Sequence, residues 1–234
     1  MNDEPNDPTR AGSPVPAATE GAVFSLSEIQ SICLKAARGA ELPWGLAEEA
    51  GMAASWLTAA GLPGPELLLE LLEGSRLEQP RAMAGEWRSH QGALLCPIAT
   101  GAALSDFARL PEGIGDDALV IQKLAFPVLI LPFAAAVAHS RVRTLRIQWP
   151  GFTAFLTPDG HQHIEAADSA PGVRGATARL AWVGTSPTAT PVGQTGRRIT
   201  RALWQRLDSL AMLTTVPATV RSHADAGASE SDNE

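Results

Sequence analysis

The chain has 234 residues, of which 45% are hydrophobic and 18% charged, and this composition is typical of a globular protein with a sizeable core. The net charge of −7 argues against nucleic acid and anionic membranes as partners, because the summed field repels both. The sequence contains no tyrosine, which excludes any mechanism that needs a phenol.

The first 21 residues are rich in Pro, Asp, Asn, Ala and Gly and show no apolar periodicity, so we expect residues 1–21 to be a disordered tail. This start is acidic and lacks the apolar region of a signal peptide. Residues 221–234 are small, polar and acidic, and we expect a second disordered tail there. Residues 22–220 are then expected to form a single domain, with a helical part over 24–90 and a sheet part over 91–220.

The helical part begins with a clear cap. Ser25 and Glu28 have the capping-box spacing, and Gly39 is expected to end the first helix. The second helix runs from Pro43 towards Gly61 and carries small residues around Gly51 that would let another helix approach closely. The segment PELLLELLEG predicts a third helix.

The sequence pattern changes from about Gln91. GALLCPI, DALVIQKL and FPVLILPF predict short buried strands, and TGAALSDFARL and PFAAAVAHS predict helices beside them. VRTLRIQW, FTAFL, HQHIEA and TARLAWVGT predict further strands, with TPDG as the turn of a hairpin. ITRALWQRLDSLAML predicts a C-terminal helix. We therefore predict an α+β fold, in which about three N-terminal helices pack on a mixed, mostly antiparallel sheet with a C-terminal helix.

Four segments carry a family resemblance: LSEIQSICLKAARGAELPWGLAEEAG, LLCPIATGAALSD, FPVLILPF and TVPAT. They resemble a bacterial family of domains of unknown function, the 3726 family, and the likeness runs from Leu26 to Thr219. The family has no established activity, so the resemblance implies a fold and no function.

The chain looks like a divergent member of that family. Relatives usually have Ala-Gly-Leu where this chain has Ala40, Glu41 and Leu42, and Thr-Tyr-Val-Pro where it has residues 214–217. The motif that follows in relatives is also altered, with Val220 replacing a glutamate. Whether a function of the family survives this change is left open.

The resembling segments contain four polar residues that we take as a candidate binding site: Glu48, Glu49, Cys96 and Asp106. Glu48 and Glu49 point about 100° apart on a helix, so they are either a solvated face or part of a cleft rather than a carboxylate pair. Cys96 precedes Pro97, and it is either a buried small hydrophobe or a thiol activated at a helix N-terminus. Asp106 is either its polar neighbour or an exposed residue. Catalytic residues remain unknown.

Two other clusters have simpler explanations. His161, His163 and Glu165 alternate along one strand face and could hold a transition metal, but a strand after a surface turn normally has a polar outer face, so no metal is predicted. The basic and glycine-containing segment 193–201 could attract an anion, although a solvated basic patch is the simpler interpretation. No P-loop or dinucleotide fingerprint is present, and no cofactor is predicted.

Two functional hypotheses follow for a soluble cytoplasmic protein with two free cysteines. One is a small-molecule metabolic enzyme, or an accessory subunit of one, with a cleft between the helices and the sheet. The other is a non-catalytic binding or assembly subunit, in a homo-oligomer or with a partner chain, that packs through its small-residue helices. The first predicts a concave polar pocket that contains a candidate residue, and the second predicts dispersed candidates and a flat apolar surface. The small-molecule ligand is not identified by the sequence.

Overall fold

The computed structural model describes residues 21–75, 77–167, 170–185, 187–191 and 193–214. Of the two predicted tails, only Gly21 is among these residues, and it begins a strand. The TVPAT segment and the altered C-terminal motif lie outside the described residues, as do residues 1–20. No helix in the described ranges is long and apolar enough to cross a membrane.

The described residues form an α+β fold, as predicted. The helices are α1 Leu26–Gly39, α2 Trp44–Ala59, α3 Gly64–Leu72, α4 Pro97–Asp106, α5 Leu131–Arg141 and α6 Arg201–Met212, with a 3-10 helix at Pro127–Ile130 before α5. The strands are β1 Gly21–Ser25, β2 Arg81–Met83, β3 Glu86–Arg88, β4 Leu119–Leu124, β5 Thr144–Trp149, β6 Phe152–Leu156, β7 His161–Ala166, β8 Ala176–Val183, β9 Thr190–Pro191 and β10 Gly196–Thr200.

Eight strands form the main sheet in the order β2-β3-β4-β8-β5-β6-β7-β9. Every neighbouring pair is antiparallel except β3 and β4, which run parallel, so the sheet is mixed and mostly antiparallel as expected. β1 and β10 pair separately as a two-stranded ribbon. This ribbon leads directly into α1 and α6, which pack on each other. The rings of Phe24 and Trp204 stack there, with centroids 3.8 Å apart.

The cap predicted for α1 is present. The Glu28 amide donates to Ser25 Oγ at 3.3 Å, and the Ser25 amide donates to Glu28 Oε2 at 2.8 Å. α1 then packs closely on α2, because Gly51 brings the two backbones together: a Cβ added at Gly51 would lie 2.7 Å from the Gln30 carbonyl oxygen. The small residues of α2 are therefore used within the chain.

α1 and α2 end in the same way. In α1 the amide of Leu42 donates to the Ala37 carbonyl and that of Glu41 to the Arg38 carbonyl, both at 3.0 Å, which is the Schellman pattern. This pattern places Glu41 in the left-handed region at φ 65°. Gly61 has the corresponding place after α2, with φ 79°. The sequence predicted the end of α1 at Gly39 but not the left-handed residue that follows it.

Two predicted strands are wrong. FPVLILPF is helical, because Phe126 turns the chain with a left-handed φ of 45° and Pro127 and Pro132 then occupy first turns, where a missing N–H costs nothing. A short, continuously apolar run has no periodicity that separates a buried helix from a buried strand. In GALLCPI only Leu95 makes isolated bridges, and Pro97 already begins α4.

Five short strands were not predicted, namely β1, β2, β3, β9 and β10. Two of them, β2 and β3, lie within 81–88, inside the part expected to be helical. Each has five residues or fewer, and their burial shows no clean alternation. Their pairing depends on partners elsewhere in the chain, so a local pattern gives little signal for them.

Candidate functional site

A cavity of about 480 Å³ opens among the N-terminal helices, and we call it the helical cavity. It lies between the turn that joins α1 to α2, the end of α3 with the loop after it, and the start of α4. Its lining residues are Ala40, Glu41, Leu42, Pro43, Leu46, Leu71, Leu72, Gly74, Ser75, Leu77, Gln79, Cys96 and Ala99. Of the four residues predicted as a site, only Cys96 is among them.

Cys96 is the N-cap residue of α4 and is partly buried. Burial raises the pKa of its thiol, and the backbone amides of Ala99 and Ile98 lower it by a smaller amount. The thiol is therefore neutral at physiological pH, and it offers the cavity a weak hydrogen-bonding group rather than a thiolate. Among the described residues no carboxylate contributes to this shift, whereas the sequence suggested Asp106 as a polar neighbour.

Glu41 brings a carboxylate to the same cavity through an unfavourable backbone conformation. A residue with a side chain in the left-handed region costs roughly 1–2 kcal/mol relative to the usual regions, a cost that glycine does not carry. The resemblance led us to expect glycine at this position, and nothing in the sequence showed that Glu41 borders a cavity.

Glu48 lies outside the helical cavity on an exposed face of α2. The Trp44 indole Nε1 donates to Glu48 Oε1 at 2.9 Å, and Trp44 is 61% exposed. The guanidinium of Arg38 lies 5.6 Å from the centroid of the Trp44 ring. This arrangement matches the solvated-face interpretation of Glu48.

The helices α2 and α4 are in contact, and the Asp106 carboxylate is near enough to Glu49 to act on its charge. Burial raises the pKa of the Glu49 carboxyl, and the negative charges of Asp106 and then Glu48 raise it further. Cys96 lies at the other end of α4, about 15 Å away along a helix axis that rises 1.5 Å per residue. Cys96 is therefore separated from Glu49 and Asp106, and of the four predicted residues it alone lines the helical cavity.

The two histidines of β7 each pair with a carboxylate two residues away. His163 Nε2 lies 3.0 Å from Glu165 Oε1, and His161 Nδ1 lies 3.0 Å from Asp159 Oδ2. Within the described part of the chain, no three or more His, Cys, Asp or Glu side chains are placed so that they could share a metal ion.

The basic segment before α6 is partly structural. Arg197 forms an ion pair with Glu66 at 2.9 Å, and Arg198 donates to the Gly21 carbonyl at 2.5 Å, which joins β10 to β1. The helix α6 begins after Thr200, whose side chain accepts from the Leu203 amide. A depression of about 570 Å³ beside the ribbon is bordered by Arg198, Arg201 and Trp204.

Residues 24–112 match the model of a family described as a protein of unknown function, DUF3726, and the resemblance is confirmed over this part of the chain. The match includes every residue that lines the helical cavity. The crystal structure of a dehydrogenase from Sinorhizobium meliloti has a similar fold, with a TM-score of 0.54, 11% identity, and coverage of 81% of this chain and 100% of that one. At this identity the likeness shows the fold alone. No curated protein matches the chain.

Proposed function

We propose that the protein binds a small molecule in the helical cavity, as an enzyme of small-molecule metabolism or an accessory subunit of one. The observation that carries the proposal is the cavity itself, since it has about 480 Å³ and Cys96 and Glu41 both line it. This volume lies in the range of small-molecule sites, about 300–1,000 Å³.

The lining suggests an amphipathic ligand. Leucine and proline side chains form much of the wall, while the polar side chains are few: Glu41, Ser75, Gln79 and Cys96. Ligand sites commonly combine an apolar wall with a few polar groups that orient the ligand. Among the described residues, Glu41 is the sole carboxylate in the lining, so a ligand with a cationic or hydrogen-donating group fits this end best.

The state of the polar groups favours binding over covalent chemistry. A neutral Cys96 thiol is a weak nucleophile, because the thiolate is the reactive form. Glu49 has the raised pKa that a proton-transfer group needs, but it does not line the helical cavity. We therefore propose a binding role for Cys96 and Glu41 and assign no catalytic residue.

The assembly hypothesis has less support. Its small-residue helix face packs inside the molecule, where Gly51 lies against α1 and Gly64 against the backbone of Ala54. That face is therefore not free to hold a partner chain.

The test is a thermal-shift screen of the full chain with small amphipathic amines and carboxylates matched in size. We expect amines to raise the melting temperature of the parent protein. The variant Ser75→Trp fills the cavity from an exposed position and should remove this thermal shift. Glu48→Gln lies outside the cavity and should keep it. The proposal fails if no compound stabilises the parent or if Ser75→Trp responds as the parent does.

Alkylation of Cys96 gives a second, independent measure. Because burial raises the thiol pKa, Cys96 should react slowly at neutral pH and faster as the pH rises, and a bound ligand should protect it. Cys33 is fully buried and serves as an internal control that reacts only on unfolding. Rapid modification of Cys96 at neutral pH would instead revive a nucleophilic role.

A further inference from the structure

A smaller cavity of about 260 Å³ lies at the edge of the main sheet, and we call it the cationic cavity. Its lining residues are Arg88, Ser89, His90, Gly92, Ala93, Gln122 and Lys123. It does not share a residue with the helical cavity, and none of the sequence motifs pointed to it.

The position of the cationic cavity follows from the parallel pair in the sheet. β3 and β4 run in the same direction, so their carboxyl ends meet at one edge, and the lining residues come from these two ends and the loop after β3. Crevices at the carboxyl ends of parallel strands are common ligand sites in α/β sheets. The register of β4 against β8 shifts between Ile121 and Leu124, and Lys123 within this bulge has a left-handed φ of 50°. Bulges often redirect a side chain near a functional site.

The cavity gathers positive charge in a chain whose net charge is −7. Arg88 and Lys123 form no ion pair among the described residues. Lys123 Nζ donates to the Gly92 carbonyl at 2.9 Å, which leaves the ammonium two further donors. Of the nearby acidic side chains, Glu86 accepts from Gln122 Nε2 and Glu78 accepts from the Gln91 amide at 3.3 Å.

Ser89 supplies an observation independent of the charges. It is only 6% exposed, and its Oγ has no hydrogen-bond partner among the described residues. Buried hydroxyl groups are normally paired, so such a group calls for an explanation. Ser89 also lines the cavity, so an anion bound where the cationic groups meet would give this hydroxyl a partner once the side chain turned towards it.

We propose that the cationic cavity binds the phosphate group of a small phosphorylated molecule. A phosphate dianion offers several acceptor oxygens and carries enough charge to engage the Arg88 guanidinium and the Lys123 ammonium together. The cavity is smaller than a typical site for a whole ligand, so it holds the phosphate group while the rest of the molecule extends outward. This inference does not depend on the function proposed for the helical cavity.

The test is calorimetric titration of the full chain with inorganic phosphate and with glycerol phosphate at constant ionic strength. We expect saturable binding of at least one of them, and Arg88→Gln and Lys123→Gln should each weaken it about tenfold, as the loss of one charge-assisted hydrogen bond predicts. Lys35→Gln removes an exposed lysine on α1 and should leave binding unchanged. Binding of glycerol phosphate alone would identify a phosphorylated metabolite as the source, whereas binding of both ligands would show that the phosphate group suffices.

Ser89→Ala separates a ligand role from a structural one. Because the Ser89 hydroxyl has no partner, the variant should melt at or above the temperature of the parent without phosphate, yet bind phosphate more weakly. The proposal is overturned if neither phosphate ligand binds, if Lys35→Gln weakens binding as much as Lys123→Gln, if malonate binds more tightly than phosphate, or if Ser89→Ala binds phosphate as the parent does.

Discussion

The ends of α1 and α2 have the same backbone geometry but carry different residues. After α2 the left-handed position holds Gly61, and after α1 it holds Glu41. Glycine adopts this conformation without steric cost, whereas glutamate does not. Gly61 is also not part of the helical cavity, while Glu41 lines it.

The difference shows that Glu41 occupies a position whose backbone conformation favours glycine. Residues held in a strained conformation cluster at functional sites, because the surrounding fold must maintain them. Here the fold keeps a carboxylate at the wall of a cavity, at a position where glycine would be more stable. This is consistent with a binding role for Glu41.

The largest effect should come from separating the two helices whose ends are compared. Gly51→Leu would drive a side chain into the Gln30 backbone and should destabilise the protein by about 3 kcal/mol, measured by chemical denaturation. Gly45 lies on the same helix with open space around its Cα, so Gly45→Ala is the control and should stabilise by about 0.5–1 kcal/mol. Equal stability of Gly51→Leu and the parent would show that α1 does not pack there.

The next largest effect should come from giving the end of α2 the residue found at the end of α1. Gly61→Glu places a side chain at φ 79° and should destabilise by about 1–2 kcal/mol, since the conformation is the same as that of Glu41. A denaturant titration of the variant and the parent measures this difference in the free energy of unfolding. If the variant is as stable as the parent, left-handed strain is negligible in this motif and the contrast with Glu41 has no energetic meaning.

The reverse exchange should have the opposite sign. Glu41→Gly relieves the backbone strain of the folded state but increases the backbone entropy of the unfolded chain. We therefore expect the free energy of unfolding to rise by about 0.5–1 kcal/mol. The same variant should lose the selectivity for amines over carboxylates in the thermal-shift screen. A loss of stability would mean that the Glu41 side chain makes contacts that outweigh its strain.

The smallest effect concerns Glu49, which lies three residues beyond the cavity-lining Leu46 on α2. Because the folded state raises the pKa of this carboxyl above its ordinary value of 4.5, the parent loses stability as the pH rises through the folded pKa. Glu49→Gln removes that loss, so it should be more stable than the parent at pH 7 and nearly equal to it at pH 4.

A double-mutant cycle with Asp106→Asn sharpens this result. The two substitutions should be non-additive at pH 7, because each relieves the same repulsion. Additive effects would place Glu49 and Asp106 too far apart to interact, and the contact between α2 and α4 would then need revision.

Helix caps and tight turns could be predicted because their signals are local. The capping box of Ser25 and Glu28 and the turn between β6 and β7 each depend on residues within a few positions of one another, and both are present. The strand predicted for FPVLILPF was wrong for the opposite reason, because a fully buried apolar run has no periodicity that separates a helix from a strand.

The sequence by itself determined the α+β class, the order of the helices and the presence of small residues between α1 and α2. Only the tertiary structure decided which groups meet: that Glu49 approaches Asp106, that Cys96 and Glu41 share the helical cavity, and that β3 and β4 pair in parallel. Caps and turns are fixed by neighbours along the chain, whereas cavities form between segments that are distant in sequence and touch only after the helices and strands have packed.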